Sequence, residues 1–169
     1  MVISTPPIVE PVSLDQVKAW LKVDWDTEDA LIETLISAAR EKCEQYTNRA
    51  FVSQGITETF GVNDEITLAR GEVISVDSVT VGVTALTTAD YTTDDHDYGF
   101  TITLNNLPDD RVTVVYTAGY GTNASDVPRA IAAAIYLMVA DMYDNRGDTV
   151  RRLPTASENL LNTVRRWVT

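Results

Sequence analysis

The residues best suited to chemistry lie in the stretch DYTTDDHDYG, residues 90–99. It sets the only histidine of the sequence among four aspartates: Asp90, Asp94, Asp95, His96 and Asp97. Carboxylates and an imidazole can bind a metal ion or transfer protons. A transition-metal site usually adds nitrogen or thiolate ligands at short spacing, which one histidine and one cysteine do not supply. A solvated polar loop is therefore favoured over a metal site.

A second candidate motif is AGYGTNA, residues 118–124, whose glycines resemble those of a phosphate-binding loop. A dinucleotide fingerprint needs a third glycine where this sequence has Ala124, and a P-loop needs a Gly-Lys-Ser/Thr that does not follow. Gly119 and Gly121 are better explained as residues that turn the chain out of a strand before a helix. We predict no catalytic residue, cofactor or metal, and hence no enzyme.

Charge separates the chain into two parts. The 169 residues carry a net charge of -12. Residues 1–110 hold 6 basic and 20 acidic side chains, a net of -14, whereas residues 111–169 hold 7 and 5, a net of +2. The acidic majority opposes general affinity for DNA and for anionic membranes. The longest apolar run, residues 130–140, is far shorter than the roughly 20 residues that cross a bilayer, so we expect no membrane segment.

Two helices are predicted before residue 50. Residues 13–23 open with Ser13 and Gln16 at capping-box spacing, followed by apolar residues on one face. Residues 27–47 show apolar residues at intervals of three and four, and Asn48 is expected to end this helix.

Two further helices are predicted after residue 122. The third starts near Asp126 and runs to about Asn145. It is apolar almost all round, so its own bundle or another subunit has to cover it. The fourth opens at Thr155 with Glu158 at capping-box spacing and continues through Trp167.

The intervening segment changes to short alternations of β-branched and aromatic residues. The runs are GITETF, EITL, VDSVTV, YGFTITL and RVTVVY, which indicate antiparallel hairpins. The predicted fold class is α+β: a small helical bundle of four helices with an antiparallel β insertion between helix 2 and helix 3. Residues 1–50 and 122–169 would form the helical core and residues 51–121 the insertion, in one compact domain overall.

Four segments cover both ends of the chain and leave only the β segment weakly matched to a known family. They are VEPVSLDQVKAWLKVD, TEDALIETLISAAREKCEQYTNRAF, VTVVYTAGYGTNASDVPRAIAAAIYLMVADMYDNRGD and LPTASENLLNTVRRW. In this order and spacing they resemble the head-tail connector proteins, or head-completion adaptors, of tailed bacteriophages and prophages.

The resemblance implies a structural virion protein without enzymatic activity or cofactor. Such an adaptor is made in the bacterial host cytoplasm and docks as a twelve-fold ring beneath the portal protein, in the neck at the head-tail interface. It extends the DNA channel and provides a platform for the downstream neck or tail-completion protein. Genomic DNA passes through the ring without specific binding, and no membrane is involved.

Carried over to this sequence, the resemblance assigns two sets of residues. Portal docking falls to the basic C-terminal segment: Arg151, Arg152, Leu153, Leu160, Leu161, Val164, Arg165, Arg166 and Trp167. Packing between subunits falls to the helix pairs: Ile32, Ile36, Ala39, Ile131, Ile135, Met138 and Met142.

Two alternatives remain open at the level of sequence. Another neck or tail-completion protein of the same virion would share these features. A protein of a different class, a small metal-binding hydrolase or ligand-binding domain, would use residues 90–97.

Overall fold

A computed structural model describes residues 1–96, 99–147 and 153–166. Within them the elements are, in chain order, β1 (Val2–Thr5), α1 (Leu14–Leu21), α2 (Asp29–Thr47), β2 (Gln54–Phe60), β3 (Glu65–Thr67), β4 (Val73–Val81), β5 (Thr84–Ala85), β6 (Tyr91–His96), β7 (Gly99–Leu104), β8 (Val112–Ala118), a 3-10 helix (Ala124–Asp126), α3 (Arg129–Asp144) and α4 (Thr155–Asn162). The predicted α+β class is confirmed: in chain order, helices precede and follow an antiparallel β insertion.

The chain divides into two compact units. The β unit contains Met1–Ile8, Asn48–Tyr120 and Arg166, and the helical unit contains Val9–Thr47 and Gly121–Arg165. The N-terminal strand therefore belongs to the β unit, although the sequence placed it with the helices. That the whole chain acts as one compact domain stays a prediction.

The helices begin and end for local reasons. In α1 the backbone N–H of Gln16 donates to Ser13 Oγ at 3.3 Å and the N–H of Ser13 donates to Gln16 Oε1 at 2.9 Å, so the predicted capping box is confirmed. Asn48 follows α2 with a φ of 54°, a left-handed conformation that asparagine tolerates and that ends a helix.

The predicted end of α3 near Asn145 and the predicted start of α4 at Thr155 are confirmed, whereas the start of α3 and the end of α4 were wrong. Asp126 lies in the 3-10 helix, and Pro128 has an extended ψ of 136°, so α3 begins only at Arg129. Thr155 is the first helical residue of α4, with Pro154 in the capping position, so no capping box forms with Glu158. Because α4 ends at Asn162, Val164 lies beyond the helix.

The β unit contains two antiparallel sheets in its described residues. One has the strand order β1-β2-β8-β4-β5 and the other β3-β7-β6. Strands β1, β5 and β6 escaped sequence analysis, because most of their side chains are exposed and show no apolar alternation. Their pairing with neighbouring strands, and not their own residue types, makes them strands.

Strand β8 lies at the centre of the larger sheet. It pairs with β2 along one edge and with β4 along the other. Alternate side chains of β8 point into the core of the β unit: Val112, Val114, Tyr116 and Ala118. There they pack with Ile56, Ile66 and Ile102. Gly119 then takes a φ of 145°, and a Cβ there would lie 2.5 Å from the backbone nitrogen of Ser53. The predicted role of this glycine in turning the chain out of the sheet is confirmed.

A buried polar pair lies within this core. The hydroxyl of Tyr116 donates to Glu58 Oε1 at 2.7 Å, and both side chains are buried. The backbone N–H of Ala69 donates to Glu58 Oε2 at 3.3 Å, and that of Arg70 donates to the Tyr116 oxygen at 3.3 Å. Burial and the neighbouring carboxylate raise the pKa of Tyr116, so its hydroxyl remains a donor.

The helical unit has its own buried charges. Arg40 is buried on α2, where its Nη1 donates to Glu44 Oε2 at 2.9 Å and its Nε donates to Glu10 Oε2 at 2.8 Å. At one end of the unit, Glu28 accepts hydrogen bonds from Tyr143, Arg146 and Trp25, and these bonds, led by that of Tyr143, lower the pKa of Glu28 to about 2.

We expect Tyr116→Phe to lower the free energy of unfolding by about 1.5–3 kcal/mol, because it leaves the buried Glu58 carboxylate without its hydroxyl donor. Urea denaturation measures the change. Tyr91→Phe, at a half-buried tyrosine of β6, is the control and should change the value by less than about 0.5 kcal/mol. Equal effects of the two changes would contradict the importance of the buried pair.

Glu28 predicts a pH dependence. Its folded pKa, about 2, is below the unfolded value of about 4.3, so its contribution to stability is present above the unfolded value and disappears as the pH falls towards 2. The stability difference between the wild type and Glu28→Gln should therefore shrink from pH 5 to pH 3, as measured by urea midpoints. Glu33→Gln, at an exposed glutamate of α2, is the control. A difference that does not vary with pH would contradict this account.

Candidate functional site

Residues 91–96 of the acidic stretch form strand β6, so their prediction as a loop was wrong. Asp94, Asp95 and His96 lie on β6 opposite β7, and Asp97 lies outside the described residues. Asp90 precedes the strand and accepts hydrogen bonds from the backbone N–H and hydroxyl of Thr87, which lower its pKa. Within the described part of the chain, no cluster of three or more His, Cys, Asp or Glu side chains is arranged to hold a metal ion. The described residues thus offer no ligand set for the hydrolase alternative.

A polar cavity of about 450 Å³ lies in the β unit beside the end of β6. Arg49 forms an ion pair with Glu72 there, and Arg166 lines the same cavity. The side-chain amide of Asn48 donates to the Arg166 carbonyl oxygen at 3.1 Å, and burial lowers the pKa of the Arg166 guanidinium. A Cβ at position 99 would lie 2.0 Å from Arg166 Nη2, so the absence of a side chain at Gly99 makes room for this arginine.

The residues predicted to dock on a portal have different environments. Leu161 is fully buried in the helical unit, whereas Leu153, Leu160, Val164 and Arg165 are half-buried. Arg166 is buried in the β unit. Arg151, Arg152 and Trp167 lie outside the described residues. Of the members that the structure describes, Leu161 and Arg166 are therefore not accessible to a partner.

Contacts within the helical unit fix α4. The hydroxyl of Ser157 donates to the Ala134 carbonyl oxygen at 3.0 Å. Tyr46 contacts both Glu158 Oε1 and Asn162 Oδ1, at 3.0 and 2.8 Å, and the Arg165 guanidinium lies 4.4 Å from the Tyr46 ring centroid. These contacts hold one face of α4 inward, so its exposed face lies at residues 155, 156, 159 and 162.

The residues predicted to pack between subunits lie mostly in the core of the chain itself. Met142 is half-buried. All other members of the set are buried: Ile32, Ile36, Ala39, Ile131, Ile135 and Met138. A side chain without exposed surface has no area to offer a neighbouring subunit, so the packing partners of these residues lie within this chain. A role in ring packing stays a prediction, and accessible neighbours such as Leu31 and Ala38 on α2 would have to carry it.

Helix α3 receives most of its cover from its own unit. One face is buried, at Ile131, Ala134, Ile135, Met138 and Val139, and the residues between these positions are half-buried. The ring of Tyr136 stacks on Trp20 at a centroid distance of 5.7 Å. No helix among the described residues is long and apolar enough to span a membrane.

Sequence analysis missed several exposed apolar side chains of the helical unit, including Trp20, Trp25 and Leu31. They share the unit with a groove of about 540 Å³, lined by apolar residues such as Val9, Val12, Leu14 and Ile36. Helical periodicity places such residues beside the apolar stripe without deciding whether another element covers them. The helical unit thus presents apolar surface suited to contact with other proteins.

The comparison with protein families and the comparison with solved structures agree. Residues 10–152 match the family model described as head completion protein. The match therefore includes only Arg151 and Arg152 of the predicted portal-docking residues and ends before Leu153. No curated protein matches the chain.

Three solved structures share the fold over the whole chain. The neck of an empty GTA particle, computed with C6 symmetry, matches with a TM-score of 0.79 at 23% identity, covering 100% of this chain and 97% of the other. The virion of a native gene transfer agent matches with a TM-score of 0.81 at 23% identity and the same coverage. The neck of a native GTA particle, computed with C12 symmetry, matches with a TM-score of 0.73 at 21% identity, again with that coverage.

The family match covers far more than half of the chain and confirms the resemblance that the sequence carries. The fold of the solved structures is consistent with that match. This chain belongs to the head completion protein family.

Proposed function

We propose that the protein is a structural adaptor of the virion neck, which docks as a ring on the portal of a tailed phage or a related particle. The observation that carries the proposal is the match of residues 10–152 to the head completion protein family. The fold shared with proteins of gene transfer agent necks supports it, because two of those necks were computed with six-fold and twelve-fold symmetry. The adaptor acts by assembly and not by catalysis.

Portal docking uses the exposed face of α4 in this proposal. The buried face of that helix is held by Leu161 and Ser157, so the helix is a preformed surface. Half-buried Leu153 and Leu160 supply apolar area, and Arg165 supplies a cation at the end of the segment. A fixed helix loses little conformational entropy when it binds, which favours affinity.

Ring formation uses surface residues of the helical unit. Leu31 and Ala38 are exposed on α2, and Ala132, Ala133 and Leu137 are half-buried on α3. A ring of identical subunits needs a head-to-tail contact between two different surfaces of each copy. Such a contact would cover the apolar area that the unit leaves accessible.

The channel of the ring would carry the genome without holding it. Residues 48–120 contain eleven acidic residues, three arginines and no lysine, and residues 9–47 also contain more acidic than basic residues. Repulsion of phosphate by this charge opposes tight DNA binding and lets the duplex slide.

Ala156→Arg is expected to weaken portal binding at least about tenfold, since a long charged side chain would stand in the docking face of α4. Surface plasmon resonance on immobilised portal rings measures the effect. Deletion of the whole of α4 is a poorer test, because it would expose the core around Ala134.

The control for this change is Ser78→Arg, which adds the same side chain at an exposed position of β4 in the β unit. Both variants should melt within about 2 °C of the wild type, because surface changes of this kind alter stability little. Wild-type affinity of Ala156→Arg would refute docking through α4.

Ala38→Arg is expected to prevent ring closure while leaving the subunit folded, because the guanidinium would enter the apolar contact between copies. Electron microscopy of portal rings saturated with adaptor measures the number of subunits bound. Ser78→Arg again serves as the control and should give complete rings. Complete rings with Ala38→Arg would rule out this part of α2 as ring contact.

A further inference from the structure

Three loops of the β unit meet at one end of its larger sheet. The strand registers place Phe60 and Val81 on opposite sides of Val112, so the chain leaves β2 and β4 at the same end at which it enters β8. Residues 61–64, 82–83 and 105–111 are the loops at that end. Together with the turn at residues 86–90, which the loop at 105–111 contacts, they are called the loop-tip surface below.

The loop-tip surface exposes apolar side chains. Val83 is fully exposed, Leu107 is 69% exposed and Val62 is 50% exposed. A cavity of about 450 Å³ opens beside Leu107, and Val81, Leu86 and Leu104 also line it. Apolar projections beside a partly apolar cavity are typical of a protein-binding surface.

Hydrogen bonds hold these loops in a defined shape. The backbone N–H of Gly82 donates to the Arg111 carbonyl oxygen at 2.9 Å, and Gly82 has a φ of 56°. A Cβ at Gly82 would lie 2.7 Å from Asp110 Oδ2, so the turn that presents Val83 depends on this glycine.

The loop at residues 105–111 is tied to its neighbour in a similar way. The side-chain amide of Asn105 donates to the Ala89 carbonyl oxygen at 2.7 Å. The backbone N–H of Asn105 donates to the Asp90 carbonyl oxygen at 2.9 Å. The surface is therefore ordered before any partner arrives, which reduces the entropy lost on binding.

Acidic side chains surround the apolar ones. The loops and the residues beside them contain a single basic residue, Arg111, and these carboxylates: Asp64, Glu65, Asp90, Asp109 and Asp110. Asp90 and Asp109 line the cavity itself. A like-charged second copy of the same surface and the phosphates of DNA would both be repelled. Charge complementarity selects a protein partner that presents apolar side chains next to lysine or arginine.

We propose that the loop-tip surface is the docking platform for the neck or tail protein that follows this adaptor in assembly. The partner inserts apolar side chains into the cavity beside Leu107, and its lysines or arginines face Asp90 and Asp109. This inference rests on the adaptor function proposed above and assigns its downstream contact to particular residues.

The test uses DNA-filled heads that lack this protein, purified adaptor and purified tails of the same virus with their head-proximal proteins. Each adaptor variant is first bound to heads and the bound amount is measured; tails are then added and joined particles are counted by electron microscopy. For the double variant Val83→Ser with Leu107→Ser, we expect normal head binding and at least a tenfold loss of tail joining. Both side chains are exposed, so the fold is retained.

Two further variants sharpen the result. Ile74→Ser removes another exposed apolar side chain, 54% exposed, near the opposite end of β4, and this variant should join tails normally. Asp109→Lys should slow tail joining severalfold at low salt and less at high salt, because screening weakens the attraction that the carboxylate supplies.

The outcomes separate the inference from the function on which it rests. Tail joining by the double variant at the wild-type rate would overturn the inference, as would loss of head binding, which would place the surface against the portal. A changed ring stoichiometry would show that a neighbouring copy covers the surface, and would also overturn it. Failure of the wild-type adaptor to bind heads would instead refute the proposed function.

Discussion

The β unit depends on the pairing of strand β8 with its two neighbours, β2 and β4. Strand β8 pairs with both strands along its full length. Its inward side chains belong to the core cluster to which both sheets contribute. The Tyr116 hydroxyl places a donor in that core. The Glu58 carboxylate is buried there because it accepts from Tyr116 and from the backbone N–H of Ala69, while the N–H of Arg70 donates to the Tyr116 oxygen. Since β8 begins beside the exposed loops and ends at Ala118, directly before Gly119, it connects the core of the unit with the surface that the loops present.

The helical unit combines a similar core with an accessible exterior. Burial of Arg40 is tolerated because Glu44 and Glu10 both accept its hydrogen bonds. Helix α4 is held by Ser157 and Leu161 on its inner face, so its outer face is displayed on a stable support. Binding through preformed helix and loop surfaces would suit the proposed adaptor, because few degrees of freedom would be lost on each contact.

The site was only partly predictable. The sequence correctly indicated the head completion protein family, because the order and spacing of four segments carry that information. The resemblance assigned subunit packing to apolar residues of the helix pairs, and the structure buries nearly all of them within the chain. The exposed residues Trp20, Val83 and Leu107 were missed, because an apolar residue type does not reveal whether another element covers it.

The sequence by itself determined the α+β class, the capping box of α1, the end of α2 at Asn48 and the turn at Gly119, because each depends on residues close along the chain. The tertiary structure alone decided that residues 2–5 and 91–96 are strands, that Arg166 belongs with the β unit, and that three distant loops meet beside Val112. Those features depend on pairing between segments far apart in sequence, and local propensity and periodicity carry no record of such pairing.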